Sequence, residues 1–198
     1  MSLKNLNPRF GILLLFMLVA GIIRVVLGAD QSTLQPIAMF TPVGAMALFG
    51  GAAFSERWKS FAFPLLTLFL SDVILMQVFH REYAQGLLYK GWAANYISFV
   101  FIVLIGQLVI RKMSAGRIAV ASVAAALTHF LVSNFGVWIS GSTNITTGLP
   151  FTRDMAGLTE CYILAIPFMK YFLIGTLVYS AIFFGGYAIV ARKLRLAH

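Results

Sequence analysis

Apolar residues occur along this chain in six long runs, which are separated by shorter segments that are richer in charged and polar residues. A helix rises about 1.5 Å per residue, so about 20 apolar residues are needed to cross a hydrocarbon core about 30 Å thick. The pattern therefore predicts six transmembrane helices in one compact all-α bundle, a single membrane domain of residues 1–198. The predicted spans are residues 11–27, 41–54, 61–79, 93–110, 118–139 and 168–190.

The second run differs from the other five in length and composition. Its 14 residues would reach about 21 Å as a helix, so we expect this segment to be either tilted with an irregular start or partly re-entrant. Pro42 lies at its start, and small residues recur from Gly44 to Ala53. Because small residues let helix backbones approach closely, this helix is predicted to pack inside the bundle.

The composition supports a membrane location. Of the 198 residues, 60% are hydrophobic and 11% are charged, and the mean hydropathy is +0.90. A soluble domain has about 25% charged residues, so the exterior predicted here faces the lipid bilayer. The net charge of +9 comes from short basic clusters between apolar runs. Nucleic-acid binding needs a continuous basic face, so that class of function is excluded.

The basic residues are divided unequally between the two sides of the predicted membrane. Because cytoplasmic flanks are enriched in Lys and Arg, the side with ten of them is predicted to be cytoplasmic, with both chain ends inside. Lys4 and Arg9 followed by an apolar run also resemble the start of a signal peptide. This run is longer than the apolar core of a signal peptide, and Arg24 interrupts its distal part, so we expect a retained first span. The other side receives three basic residues, Arg81, Lys90 and Arg153. The ten are Lys4, Arg9, Arg57, Lys59, Arg111, Lys112, Arg117, Arg192, Lys193 and Arg195.

Four ionisable side chains fall within the predicted spans: Arg24, Asp72, His129 and Lys170. Charged groups at membrane depth need a partner or a water-filled cavity. We therefore predict an ion pair from Asp72 to Lys170 or to Arg24. Such a pair either joins helices or lines a site, and the two cations also have the alternative of snorkelling outward.

His129 belongs to a stripe of small and polar residues on one face of the fifth span, which we expect to face the bundle. A lone histidine there is either a packing residue or a ligand. The longer outer loops, residues 28–40, 80–92 and 140–167, are expected to roof an outward-facing cavity over these polar helix ends. The stripe is Ser122, Ala126, His129, Ser133, Gly136 and Ser140. The candidate substrate-binding residues are Arg24, Asp72, His80, Tyr83, Asn95, His129, Asn134, Trp138, Thr152, Arg153 and Lys170.

The sequence contains no nucleophile elbow, no HExxH motif and no Walker loop. Cys161 is the single cysteine, which excludes an intrachain disulfide and a thiolate metal cluster. Three classes of function stay open: a small-molecule binding and uptake protein, an intramembrane enzyme that uses Asp72 and His129, and a non-catalytic membrane assembly subunit. A binding protein fits the outer loops and polar helix ends best.

Four stretches resemble uncharacterised bacterial membrane proteins that are similar to the substrate-binding (S) components of energy-coupling-factor vitamin transporters. The resemblance implies a six-helix binding unit in the bacterial cytoplasmic (inner) membrane, with an outward-facing site for a vitamin or a metal-containing micronutrient. The stretches are Phe40–Phe54 (FTPVGAMALFGGAAF), Leu70–His80, Ser133–Ile139 (SNFGVWI) and Gly157–Phe168 (GLTECYILAIPF).

The same resemblance implies an energising membrane subunit that docks through an AxxxA motif in the first helix. That motif is missing, because Arg24 stands four positions after Ala20. A solitary transporter is therefore expected. Some solitary S components resemble cobalamin carriers in which a loop residue ligates cobalt. His80 is the candidate for that role, since a neutral imidazole is a good cobalt ligand.

Overall fold

A computed structural model describes residues 8–29 and 36–193 of the chain. Within these residues the protein is all-α, except for one short hairpin, and six α-helices form the bundle. The helices are α1 (Pro8–Gly28), α2 (Val43–Ala53), α3 (Arg57–Ile74), α4 (Trp92–Val109), α5 (Ala115–Ile139) and α6 (Met155–Lys193). Lys4, Arg195 and part of the predicted first outer loop lie outside the described residues.

Five of the helices, all except α2, are long and apolar enough to cross a membrane. Large apolar side chains such as Leu18, Ile22 and Val26 are exposed along α1. Exposed faces of this kind are stable beside lipid, so the five helices indicate a multi-pass membrane protein. The helices coincide closely with the predicted spans, apart from α6.

The short helix α2 lies in the middle of the bundle, as its small residues predicted. Ten of its eleven residues are buried. It crosses α4 so closely that a Cβ atom on Gly51 would collide with the carbonyl oxygen of Val103, and one on Gly106 would collide with that of Leu48. The expected irregular start is present as well, since a 3₁₀ helix at Pro36–Met39 precedes α2.

The sixth helix begins thirteen residues earlier than predicted, at Met155 instead of Phe168. The predicted start directly follows Pro167, a residue that lacks the backbone N–H of a helix interior. In the structure Pro167 lies inside α6, and the Asp154 carboxylate accepts a 2.8 Å hydrogen bond from the Gly157 amide at the true start. The third of the predicted outer loops therefore covers residues 140–154 and not 140–167. At 39 residues, or about 58 Å, α6 extends beyond a 30 Å hydrocarbon core.

The segment after α3 is more ordered than the predicted loop 80–92. A π-helical turn at Leu75–Phe79 and a 3₁₀ turn at Arg81–Tyr83 lead into an antiparallel hairpin of β1 (Ala84–Gln85) and β2 (Leu88–Tyr89). The Gln77 side chain donates a 2.9 Å hydrogen bond to the carbonyl of Gly86 in its turn. The hairpin places Tyr89 close to the start of α4.

Contacts between helix termini show which termini lie together at each end of the bundle. At one end, the Phe10 ring lies 5.4 Å from the ring of Phe63, and the Lys59 amine lies 4.9 Å from the Phe10 ring centre. At the other end, the Lys90 amine donates to the Gly141 carbonyl at 3.1 Å. We call the end that contains the α2–α3 and α4–α5 turns the basic end, since Arg57, Lys59, Arg111, Lys112 and Arg117 lie there.

Candidate functional site

A buried ion pair joins α1 to α3 in the half of the bundle away from the basic end. The Arg24 Nη2 lies 2.6 Å from the Asp72 Oδ1, and Asp72 is 1% exposed. The same guanidinium donates to the Ser71 hydroxyl at 3.2 Å, while the Tyr96 hydroxyl donates to the other carboxylate oxygen at 2.9 Å. The predicted pairing of Asp72 is confirmed with Arg24. Lys170 is exposed and makes no ion pair with any residue that the structure describes.

A second polar chain joins the hairpin, α4 and α5. The Asn95 amide donates to the Tyr89 hydroxyl at 2.5 Å, and its oxygen accepts from the His129 Nε2 at 3.0 Å. Burial raises the pKa of the Tyr89 phenol, which keeps it neutral as a hydrogen-bonding group. The His129 ring stacks on Phe172 of α6 with centroids 4.2 Å apart and planes at 14°. These contacts fix the orientation of the imidazole.

Beside His129 lies a cavity of about 250 Å³ between α5, α6 and the 140–154 loop. Its walls are mostly aromatic and aliphatic, with a polar strip from α5 along one side. The apolar walls include Met39, Phe130, Ile145, Phe151, Leu164, Phe168, Met169 and Phe172, and the polar strip is His129, Ser133 and Asn134. A largely apolar pocket with a few convergent polar groups is the usual form of a small-molecule site.

The polar strip has unused acceptor atoms. With Asn95 oriented as described, His129 donates through Nε2, so Nδ1 carries the lone pair, and no hydrogen bond to Nδ1 is present among the described residues. Asn134 donates from its amide nitrogen to the Phe130 carbonyl at 2.8 Å, which leaves Oδ1 without a partner in the same part of the chain. Ser133 donates to the His129 carbonyl at 2.6 Å. The cavity therefore presents acceptors to a ligand that carries N–H or O–H groups.

The 140–154 loop is built as a fixed cover over this cavity. Asn144 is 2% exposed and donates to the Glu160 carboxylate of α6 at 2.8 Å, while its oxygen accepts from the Thr146 amide. The Trp138 indole donates to the Thr152 carbonyl at 2.8 Å, which ties the end of α5 to the end of the loop. The Thr152 hydroxyl in turn donates to Asp154. Trp138 and Thr152 hold the cover and do not line the cavity.

The remaining predicted site residues lie away from the cavity. His80 is 3% exposed, and its Nε2 lies 2.6 Å from the Gly28 carbonyl, so it connects the ends of α1 and α3. Tyr83 is exposed beside it, with ring centroids 6.5 Å apart. Arg153 is exposed in the loop. Of the eleven predicted residues, His129 and Asn134 line the cavity, and Asn95 orients His129.

The comparisons with known proteins identify a family. A family model described as a family of unknown function (DUF6580) matches residues 4–197. The chain belongs to this family. No curated protein and no solved structure matches it. The resemblance to S components of vitamin transporters therefore has no support from these comparisons.

Sequence reasoning missed several groups in this DUF6580 member. Tyr96 shares the buried carboxylate with Arg24, and Phe172 forms the stacking partner of His129. Cys161 lines the cavity and donates to the Asn134 carbonyl at 3.5 Å. Ser133 was placed on the inward stripe but not in the site. The spacing from His129 marks Ser133 as a neighbour on the same face, whereas no local signal identifies an aromatic residue 43 positions away.

Proposed function

We propose that this protein binds a small organic molecule from the outer side of a bacterial cytoplasmic membrane and takes part in its uptake. In this proposal the chain crosses the membrane six times, with the basic end and both termini in the cytoplasm. The excess of Lys and Arg at the basic end supports that orientation. The cavity at the opposite end would then face outward.

The observation that carries the proposal is the cavity beside His129. Its apolar walls suit a ring or a short hydrocarbon body, and the acceptors on His129 and Asn134 suit one or two ligand donor groups. Ordinary ligand pockets measure about 300–1,000 Å³, so a volume of about 250 Å³, which is just below that range, indicates a small molecule. A water-soluble vitamin of modest size fits this description.

Cobalamin fits the cavity poorly. A corrin macrocycle with its side chains is several times larger than this space. His80, the candidate cobalt ligand, lies outside the lining residues and is bonded to the Gly28 carbonyl. The proposed ligand is therefore smaller than a corrinoid, and the proposal needs no metal.

Binding is a better basis for the proposal than catalysis. Asp72 is engaged by Arg24 and Tyr96, while His129 is engaged by Asn95. No hydrogen bond joins Asp72 to His129 within the described residues, and Asp72 does not line the cavity. The two groups thus lack the direct contact that an acid–base pair uses. An assembly subunit would need no cavity at this position.

The energy source is a separate part of the proposal. Ala20 is 1% exposed and lies in the core, and Arg24 of the same helix is bound to Asp72. The face of α1 that carries Ala20 and Arg24 is therefore occupied by contacts within the chain. We propose a solitary carrier that does not use the AxxxA docking mode of S components.

Filling the cavity tests the proposal. Ala165 is 8% exposed and lines the cavity, whereas Ala181 of the same helix is exposed and lies elsewhere. The Ala165→Phe substitution should remove a small molecule that native mass spectrometry detects on the purified wild-type protein. The matched Ala181→Phe substitution should retain it. In a thermal unfolding assay with a panel of water-soluble vitamins, at least one member should stabilise the wild type and Ala181→Phe but not Ala165→Phe.

Two results would contradict this function. The first is equal retention of the same molecule by both variants. The second is a wild-type protein with no bound molecule that no member of the panel stabilises.

A further inference from the structure

A second, larger cavity lies at the basic end of the bundle. It measures about 550 Å³ and lies between the end of α2, the start of α3 and the end of α4. We call it the basic recess. Its polar lining is Ser55, Arg57, Ser60, Gln107 and Arg111, and Leu108 forms part of its apolar lining. It shares no lining residue with the cavity beside His129, so conclusions about it do not depend on the proposed uptake function.

The basic recess carries two positive charges and no lining carboxylate. The nearest acid in sequence is Glu56, but its carboxylate binds the Lys59 amine and accepts a 3.0 Å hydrogen bond from the Trp58 indole. Hydrogen bonding to Lys59 lowers the pKa of Glu56, so this carboxylate stays ionised and engaged at neutral pH. It does not neutralise Arg57.

Both guanidinium groups have free donors. Arg57 and Arg111 make no ion pair or hydrogen bond with another residue of the described chain, and neither does the Gln107 amide. A guanidinium presents five N–H donors in a fixed fork that matches the oxygens of a phosphate. Two unpaired cations that converge on one concave surface from different chain segments repel each other, and a bound anion relieves that repulsion.

Charge asymmetry alone explains exposed basic residues at a membrane surface, but it does not explain this convergence. Arg117 and Arg192 are exposed as well, and neither lines the recess. The recess also contains uncharged donors, Ser55 and Gln107, beside the two guanidinium groups. This combination is typical of an anion-binding site rather than of a solvated basic surface.

We infer that the basic recess binds a phosphate-bearing anion, with Arg57 and Arg111 holding the phosphate oxygens and Gln107 donating beside them. The phosphate belongs either to the headgroup of a membrane lipid or to a soluble phosphorylated molecule. Leu108 of the recess is 61% exposed, so an apolar surface continues outward from the recess. An acyl chain can lie along that surface, whereas a soluble phosphate does not need it.

The lipid arm of the test uses the full-length protein in detergent and two lipids with identical acyl chains, phosphatidylglycerol and diacylglycerol. Native mass spectrometry should show phosphatidylglycerol bound to the wild type and no comparable binding of diacylglycerol. The double variant R57Q/R111Q should bind phosphatidylglycerol about tenfold or more weakly, because it loses two charge-assisted contacts. The control R117Q/R192Q removes the same charge at the same end and should bind within about twofold of wild type.

The phosphate arm uses inorganic phosphate and thermal unfolding of the same three proteins. Stabilisation of the wild type and of R117Q/R192Q, but not of R57Q/R111Q, supports a soluble phosphorylated ligand. Recess-dependent binding of phosphatidylglycerol without such stabilisation supports a lipid headgroup. The inference is overturned if R57Q/R111Q and R117Q/R192Q behave alike in both arms, because general electrostatic attraction then accounts for any binding.

Discussion

The cavity beside His129 and the basic recess differ in the charge of the groups that line them. In the half that contains the cavity beside His129, the partly buried cation Arg24 is paired with Asp72 inside the protein, and the cavity is lined by neutral groups. In the basic recess, Arg57 and Arg111 have no protein partner among the described residues. One cavity is therefore lined by neutral and apolar groups, and the other is lined by cations that no carboxylate of the lining compensates.

The difference follows from depth. Asp72 is 1% exposed and lies in an apolar span, where an unpaired charge is strongly unfavourable, so its partner must come from the protein. Arg57 and Arg111 are exposed next to the turns, where water stabilises a charge that has no protein partner. Charge removal should therefore be costly for stability in the first region and nearly neutral in the second.

The largest effect is expected at the buried ion pair. Asp72→Ala leaves Arg24 uncompensated and should lower the free energy of unfolding by about 3–5 kcal/mol. Cys161 is 3% exposed and is the single cysteine, so a thiol-reactive fluorophore can report unfolding on heating. The double variant Arg24→Leu/Asp72→Leu should lose less stability than the sum of the losses measured for Arg24→Leu and Asp72→Leu separately. Additive losses would show that the two groups do not interact.

A smaller effect is expected where α2 and α4 meet beside the basic recess. Gly51→Ala places a methyl group against the carbonyl oxygen of Val103, which should force the helices apart and lower stability by about 1–3 kcal/mol. The control is Gly185→Ala in α6, where a Cβ atom would meet nothing within 4 Å. The same unfolding assay should show a control as stable as wild type. Equal stability of Gly51→Ala would contradict the close approach.

The charges of the basic recess should contribute little to stability. Each of Arg57→Gln and Arg111→Gln removes an exposed cation without a protein partner, so the free energy of unfolding should change by less than about 0.5 kcal/mol in phosphate-free detergent. Thermal unfolding of both single variants beside wild type measures the change. A loss as large as that of Asp72→Ala would mean that the two ends do not differ in charge pairing.

The smallest expected effect is the loss of thermal stability at acid pH that comes from Asp154, at the end of the loop above the cavity. Hydrogen bonds from the Gly157 amide and the Thr152 hydroxyl lower the pKa of Asp154 below its ordinary value of 3.8. Because the folded-state pKa is the lower one, this stabilisation is complete above the unfolded value and disappears as pH falls through the folded value. Thermal midpoints measured from pH 5 down to pH 3 should fall slightly more for wild type than for Asp154→Asn. Parallel curves would contradict the assignment.

Local pattern predicted much of this architecture. Five spans agree with the helices within a few residues, since each is an apolar run bounded by polar segments, and four of these five runs are long enough to cross a membrane. The buried position of α2 followed from its small residues, and the inward stripe of α5 followed from helical spacing. The predicted start of α6 was wrong. It directly follows Pro167, a residue type that is unfavourable inside a helix, but the helix accommodates Pro167.

The sequence by itself determined that a buried carboxylate in an apolar span must find a cation, and it limited the choice to Arg24 or Lys170. Tertiary structure decided between them, because the pairing depends on which helix packs against α3. The two cavities also needed the structure. Their walls combine residues from separate helices, such as His129 with Phe172 and Arg57 with Arg111. Helical spacing specifies which side chains share a face, but the neighbour that each face meets is decided by packing of the whole bundle.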